Sequence, residues 1–160
     1  KKEASDLSIP QAGLLLAREK AKSVSEIHAG WVVIGGDQMC ELEGEVLSKP
    51  GTPEKAIAHL KRLSGKTHLQ HSAGCLVQAG RIIFETVITA KLTMRALSDQ
   101  EIEAYVALDH PIHSCGAYKY ESYGKHLFEK IEGNDDVIQG LPFQELLTAL
   151  YREKLLIMET

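Results

Sequence analysis

Trp31–Pro50, WVVIGGDQMCELEGEVLSKP, is the stretch whose reading decides the fold. Trp31, Val32, Val33 and Ile34 form the β-branched and aromatic run of a buried strand, with Gly35-Gly36 at its C-terminal end. Glycine permits sharp turns and close backbone approach to a ligand, and clefts in α/β sheets open where strands end. This predicts Asp37 and Gln38 at a strand end. Met39–Leu47 alternates loosely around Glu43-Gly44, the pattern of a hairpin that returns Lys49-Pro50 towards the start of the strand. A carboxylate and an ammonium would then face one cleft. An ordinary edge hairpin with a surface ion pair fits the same residues, because Asp is a common turn residue, and pattern alone leaves both readings open.

The 160 residues are 44% hydrophobic and 25% charged, which predicts one globular domain over residues 1–160 with a full core. A formal net charge of −4, without a long block of like charge, argues against a nucleic-acid polymer as partner. Cys40, Cys75 and Cys115 are odd in number, scattered and without a C-x-x-C pair, the usage of reduced thiols in a cytoplasmic protein rather than of a zinc site. No stretch has the length and apolarity of a bilayer span, and no signal peptide is visible, so no membrane association is expected. The sequence begins with Lys rather than Met, and residues are expected to precede it.

Working outward, Lys1–Leu7 is polar and reads as loose, and Ser8-Ile9-Pro10-Gln11 is a capping box with an early proline. The helix that follows has Leu14, Ala17, Ala21 and Val24 on one face, with Lys20 at its edge. On helix evidence alone Lys20 is a solvated lysine; it can also reach a phosphate. Thr52-Pro53-Glu54 starts a second helix with Ala56, Ile57, Leu60 and Leu63 inward and Gly65 as its stop. Thr67–Val77 and Arg81–Arg95 form a long antiparallel hairpin, and His68 and His71, three apart, point to opposite faces of it. Ser98-Asp99-Gln100-Glu101 caps a third helix with Ile102, Tyr105 and Val106 inward. Residues 112–124, IHSCGAYKYESYG, are irregular and crowded with aromatic and ionisable groups, which suits a ligand wall and a packed surface loop equally. His110 and His113 lack a third ligand nearby. Leu127, Phe128 and Ile131 mark a last strand, and Gly140-Leu141-Pro142 opens a helix with Phe143, Leu146, Leu147 and Leu150 inward.

This order predicts a single α/β domain with a mixed sheet and flanking helices. Neither a P-loop nor a dinucleotide-binding glycine turn is present, and no serine sits in a G-x-S-x-G elbow.

IGGDQ, then SKP, LSG-x-x-H at Leu63–His68, LS-x-x-EI-x-x-Y at Leu97–Tyr105, CGAYKYESYG, IEG and GLP occur in this order and spacing. Together they resemble the Maf family of nucleotide pyrophosphatases, from about the first helix to the last. The resemblance implies a strongly twisted Maf/ITPase-like sheet and a hydrolase that cleaves a nucleoside triphosphate between its α and β phosphates, giving a monophosphate and pyrophosphate. It implies a divalent metal, usually magnesium with manganese as the other candidate. Asp37 matches the family's catalytic proton acceptor, and Lys49 and Lys20 match lysines of its phosphate pocket. A carboxylate near Mg²⁺ can orient or deprotonate water, and substrate phosphates bring the metal, so few protein ligands are needed and their identity stays open.

Within the family the chain is most similar to the branch that hydrolyses 7-methyl-GTP. Gln38 stands where the pyrimidine branch has Thr, and Glu121 stands where it has Gln. A carboxylate accepts charge-assisted bonds from the N–H donors of guanine's Watson–Crick edge, and N7 methylation makes that base cationic. Tyr118, Tyr120 and Trp31 are candidates to stack on it. The alternatives are a dTTP/UTP pyrophosphatase, in which exchange of Gln38 and Glu121 alters base preference, and a non-catalytic nucleotide-binding regulator of septum formation, for which Asp37→Asn leaves the effect intact. A homodimer rests on family analogy alone. The family opens with a strand and an S-x-S-P-R-R-like phosphate loop that do not occur in these 160 residues. The retained Asp37, Lys49 and Glu121 suit a working site, so the expectation is an N-terminally incomplete domain completed by preceding residues.

Overall fold

Helix α1, Ile9–Ile27, begins as the capping box predicts: the Ser8 hydroxyl accepts from the Gln11 N–H and the Gln11 side chain accepts from the Ser8 N–H. The computed structural model describes residues 6–158, and most of the polar stretch expected from Lys1 to Leu7 lies outside them. The buried face of α1 is Gly13, Ala17, Ala21 and Ser25, whereas the expected Val24 is 42% exposed. Ser25 turns inward because its Oγ accepts from the Gly80 N–H at 2.9 Å.

Strand β1, Val32–Leu42, runs unbroken through both glycines. Asp37 and Gln38 therefore lie inside a strand, not at its end as the sequence reading expected. The glycines serve packing: a Cβ on Gly35 would stand 2.4 Å from the Ala17 carbonyl oxygen and 2.7 Å from the Ala21 Cβ. The hairpin to β2, Glu45–Leu47, forms as predicted, with Glu43 and Gly44 both at positive φ and Cys40 opposite Leu47. Helix α2, Pro53–Leu63, starts at its Thr52 cap. Strands β3, Thr67–Gln78, and β4, Arg81–Met94, are joined through Ala79 and Gly80, again both at positive φ. Helix α3, Asp99–Asp109, carries the second capping box. Two short 3-10 turns, Cys115–Ala117 and Tyr123–Leu127, lead to β5, Phe128–Glu132. The five-residue helix α4, Asp135–Gln139, has no counterpart in the sequence reading. Helix α5, Phe143–Arg152, buries Leu146 and Ala149, while Phe143, expected inside, is 55% exposed.

The five strands are ordered β2-β1-β3-β4-β5 and are antiparallel, where a mixed sheet was expected. The α2 crossover starts from β2, which already runs against β1, so β3 lands beside β1 in the opposite direction. The α/β class with flanking helices is as expected.

The chain forms two compact units. The first comprises the residues up to Gln38, His71–Ile88 and the chain from Gly140 on. In it, Ala17 and Ala21 of α1 pack with Ala73, Cys75, Val77, Val33 and Val87, while Leu146 and Ala149 of α5 pack with Leu76, Val32 and Phe84. Alternate residues of β1 and β3 thus face different helices, the period of two expected of strands covered on both sides. The second unit comprises Met39–Gln70 and Thr89–Gln139. Its helices α2 and α3 pack together, and α2 also packs on the Cys115–Ala117 turn. Ala56, Leu60 and Leu63 are buried on α2, and Ile102, Tyr105 and Val106 on α3.

Candidate active site

In the first unit the structure brings together two of the residues singled out from sequence. Lys20, on α1, extends its Nζ to Asp37 Oδ1 on β1, and lies 3.4 Å from the Gly36 carbonyl oxygen. The side chain of Asp37 is 13% exposed and that of Lys20 is 59% exposed, so a largely covered carboxylate meets a lysine open to solvent. The helix can deliver this lysine because Gly35, two residues before Asp37 on the same strand face, lets α1 approach the backbone of β1. Helix evidence alone reads Lys20 as a solvated lysine, while the family resemblance makes it, with Lys49, a lysine of the phosphate pocket; in this unit Lys20 pairs with Asp37.

Gln38 is on the other face of β1. A Cβ on Gly36 would stand 2.9 Å from Leu141 Cδ1, and one on Gly140 would stand 3.3 Å from Gln38 Oε1. The Gly140-Leu141-Pro142 segment also covers Gly74 of β3, where a Cβ would meet Pro142 at 2.8 Å. Sequence reasoning read this segment only as the start of a helix. Its second role is to close on the glycine-rich face of β1 and β3 and to leave room for Gln38. Three glycines spaced along two strands and one turn were its only signal. Arg18, one turn before Lys22 on α1, makes a bidentate pair with Glu85 of β4 at 2.6 and 2.5 Å, and the two partners hold each other charged: the guanidinium's pKa is raised and the carboxyl's lowered, mainly by these hydrogen bonds.

The other predicted residues lie in the second unit. Lys49 is exposed, just after β2 and before the buried Pro50. Glu121 is exposed in the turn Lys119–Gly124. Tyr118 and Tyr120, proposed as stacking rings, are buried. The Tyr118 hydroxyl hydrogen-bonds His68 Nε2 at 2.9 Å and accepts from Gln70 Nε2 at 2.8 Å, and its ring packs edge-on against Phe128. Tyr120 donates to Asp135 at 3.0 Å beneath the Lys125 ammonium. Both are packing residues. Burial lowers His68 to a pKa of about 4 and raises Tyr118, so this network is neutral at pH 7. In the first unit Trp31 is exposed and stacks on His28 with ring centroids 4.1 Å apart.

Among the described residues no group of three or more His, Cys, Asp or Glu is placed to hold a metal ion. His110 instead caps α3 in the left-handed conformation. Asp37 offers one carboxylate, a hard oxygen donor. Magnesium is held by one or two carboxylates together with substrate phosphates and water, so this donor fits an ion that arrives with its substrate. Among the described residues no helix is long and apolar enough to cross a membrane.

The chain is similar to proteins named nucleoside triphosphate pyrophosphatase. That of Bradyrhizobium diazoefficiens is 46% identical over 156 residues, covering 96% of this chain and 77% of the relative. That of Rhodopseudomonas palustris (strain HaA2) is 42% identical over 157 residues, covering 96% and 78%. That of Legionella pneumophila (strain Philadelphia 1) is 39% identical over 148 residues, covering 92% and 74%. Residues 2–153 match the family described as Maf-like protein, and with nearly the whole chain inside that match, this protein belongs to the Maf family.

Proposed function

We propose that this chain is a nucleoside triphosphate pyrophosphatase whose substrate is 7-methyl-GTP, cleaved to 7-methyl-GMP and pyrophosphate. The observation that carries the reading is the pairing of Asp37 with Lys20: a largely covered carboxylate beside an exposed ammonium, with room for Lys20 made by Gly35. Asp37 accepts the proton of the attacking water. The water oxygen bonds to the α-phosphorus, and the bond to the bridging oxygen breaks with its electron pair leaving on pyrophosphate. Lys20 and Lys49 neutralise phosphate charge, which is worth most at the point where that charge develops. A bound magnesium ion, held through Asp37 and the phosphates, would supply further charge neutralisation.

Glu121 reads the base. Its exposed carboxylate can accept from the N–H edge of guanine, and a cationic methylated ring strengthens the attraction. Gln38 contributes to base preference from the face of β1 opposite Asp37. The relatives' names support the reaction class, and the residues at positions 38 and 121 support the guanine reading.

The experiment is pyrophosphate release from 7-methyl-GTP, GTP, dTTP and UTP with Mg²⁺, for the protein and its Asp37→Asn variant. Selective turnover of 7-methyl-GTP that collapses in the variant is expected. Preference for dTTP and UTP would replace the guanine reading with the pyrimidine one, and turnover unaffected by Asp37→Asn would remove Asp37 from the mechanism.

A further inference from the structure

Glu121 sits in a turn that is fastened on both sides of it. The Lys119 carbonyl accepts from the Ser122 N–H at 3.1 Å and from the Gly124 N–H at 2.9 Å. Gly124 is required there, since a Cβ would stand 2.4 Å from the Lys119 carbonyl oxygen. Two side chains of α3, one turn apart, hold the same segment from below. The Tyr105 hydroxyl accepts from the Lys119 N–H at 2.8 Å. The Asp109 carboxylate accepts from Ser122 Oγ at 2.7 Å through one oxygen and from the Tyr123 N–H at 3.2 Å through the other. Tyr105 also hydrogen-bonds Asp109, so the two act as one unit.

Asp109 is only 6% exposed, and among the described residues no cation pairs with it. A buried carboxylate is expensive unless its hydrogen bonds are strong. Here every donor it meets, apart from Tyr105, belongs to the two residues that follow Glu121. Of the six residues 119–124, Glu121 has no hydrogen bond of its own among the described residues, and its carboxylate projects from a backbone held at both flanks. A recognition group whose backbone is fixed beforehand loses less entropy on binding.

We propose that Asp109, with Tyr105, is the positioning pair that sets the Glu121 carboxylate for base recognition, so that substrate selectivity is built partly on α3. This rests on the reading of Glu121 as the base-contacting residue. Neither Asp109 nor Tyr105 touches substrate in this scheme.

The test is steady-state kinetics on 7-methyl-GTP for Ser122→Ala, Ser122→Thr, Asp109→Asn and Glu121→Gln. Ser122→Ala deletes one hydroxyl from an exposed residue, so folding survives even where Asp109→Asn is costly. KM is expected to rise about tenfold in Ser122→Ala and Asp109→Asn at unchanged kcat, the loss of one hydrogen bond's worth of uniform binding. Ser122→Thr, which keeps the hydroxyl, is expected to retain the wild-type KM. A KM unmoved by Ser122→Ala and Asp109→Asn but raised by Glu121→Gln overturns the positioning role and leaves base reading standing. A KM unmoved by Glu121→Gln overturns base reading and this proposal with it. A fall in kcat at unchanged KM in the two positioning variants also overturns it, because that is the signature of a partly unfolded population.

Discussion

Lys20 and Asp37 are a pair whose worth to folding and worth to chemistry differ. An ion pair in which one partner is 59% exposed contributes about 0–1 kcal/mol, because water screens the lysine and its side chain loses rotamer freedom on pairing. In the proposed reaction the same ammonium stands beside the carboxylate that takes a proton and acts where charge develops, and removal of one such group costs about a hundredfold in kcat. Lys20→Ala is therefore expected to unfold within about 1 kcal/mol of the parent in urea. Its pyrophosphate release is expected to fall about a hundredfold. Parallel denaturation and turnover measurements check this, and a turnover loss matched by an equal loss of folded protein would assign Lys20 to structure alone.

At the scale of elements, the approach of α1 to β1 is what places that lysine. It depends on the absent side chain at Gly35, where a Cβ would overlap the Ala17 carbonyl and the Ala21 methyl. Gly35→Ala forces helix from strand or bends both, and is expected to destabilise by about 3 kcal/mol. Gly30→Ala is the control, because a Cβ there meets nothing within 4 Å. Urea denaturation of the two variants separates overpacking from a general effect of losing glycine. The same contact shows why the sequence was legible in some places and not in others. The capping boxes at Ser8 and Ser98 were readable because donor and acceptor lie three residues apart. Both hairpins were readable for the same local reason, although the second turn, expected over Gln78-Ala79-Gly80, is only Ala79-Gly80 because Gln78 belongs to β3. Gly35-Gly36 was not, since a glycine pair signals a turn or a close approach equally well and only the arrival of Ala17, Ala21 and Leu141 decides. Likewise the inward turn of Ser25 depends on Gly80, distant in sequence. The candidate site was legible almost entirely through motifs: Asp37 is an ordinary strand residue until α1 brings Lys20 to it, and Glu121 an ordinary loop carboxylate until α3 is seen to hold its neighbours.

For the whole molecule, the buried His68 sets an acid limit on stability. Its ring is 1% exposed, Nε2 meets the Tyr118 hydroxyl, and Nδ1 has no hydrogen-bond partner among the described residues. Burial lowers its pKa from 6.5 to about 4, with no opposing charge to offset the loss of hydration. The folded state therefore binds fewer protons than the unfolded one between those values, and stability rises with pH across that window. The contribution of the neutral ring is fully present above pH 6.5 and is lost progressively as pH falls towards 4, by up to about 3 kcal/mol. Glu85 and Glu101, both lowered by their hydrogen-bond partners, lose stability in the same direction but across the carboxylate range. His68→Phe removes only the histidine's share, while Tyr118 keeps its bond from Gln70. The variant is expected to be less stable than the parent at pH 7.5, where the lost hydrogen bond dominates, and to show a much flatter decline in Tm between pH 6.5 and 4. Thermal unfolding of both proteins across that range measures the difference in slope, from which the two glutamates cancel. Equal slopes would mean that His68 takes up its proton in the folded state as readily as in the unfolded one, which requires the buried ring to open to water before the fold is lost.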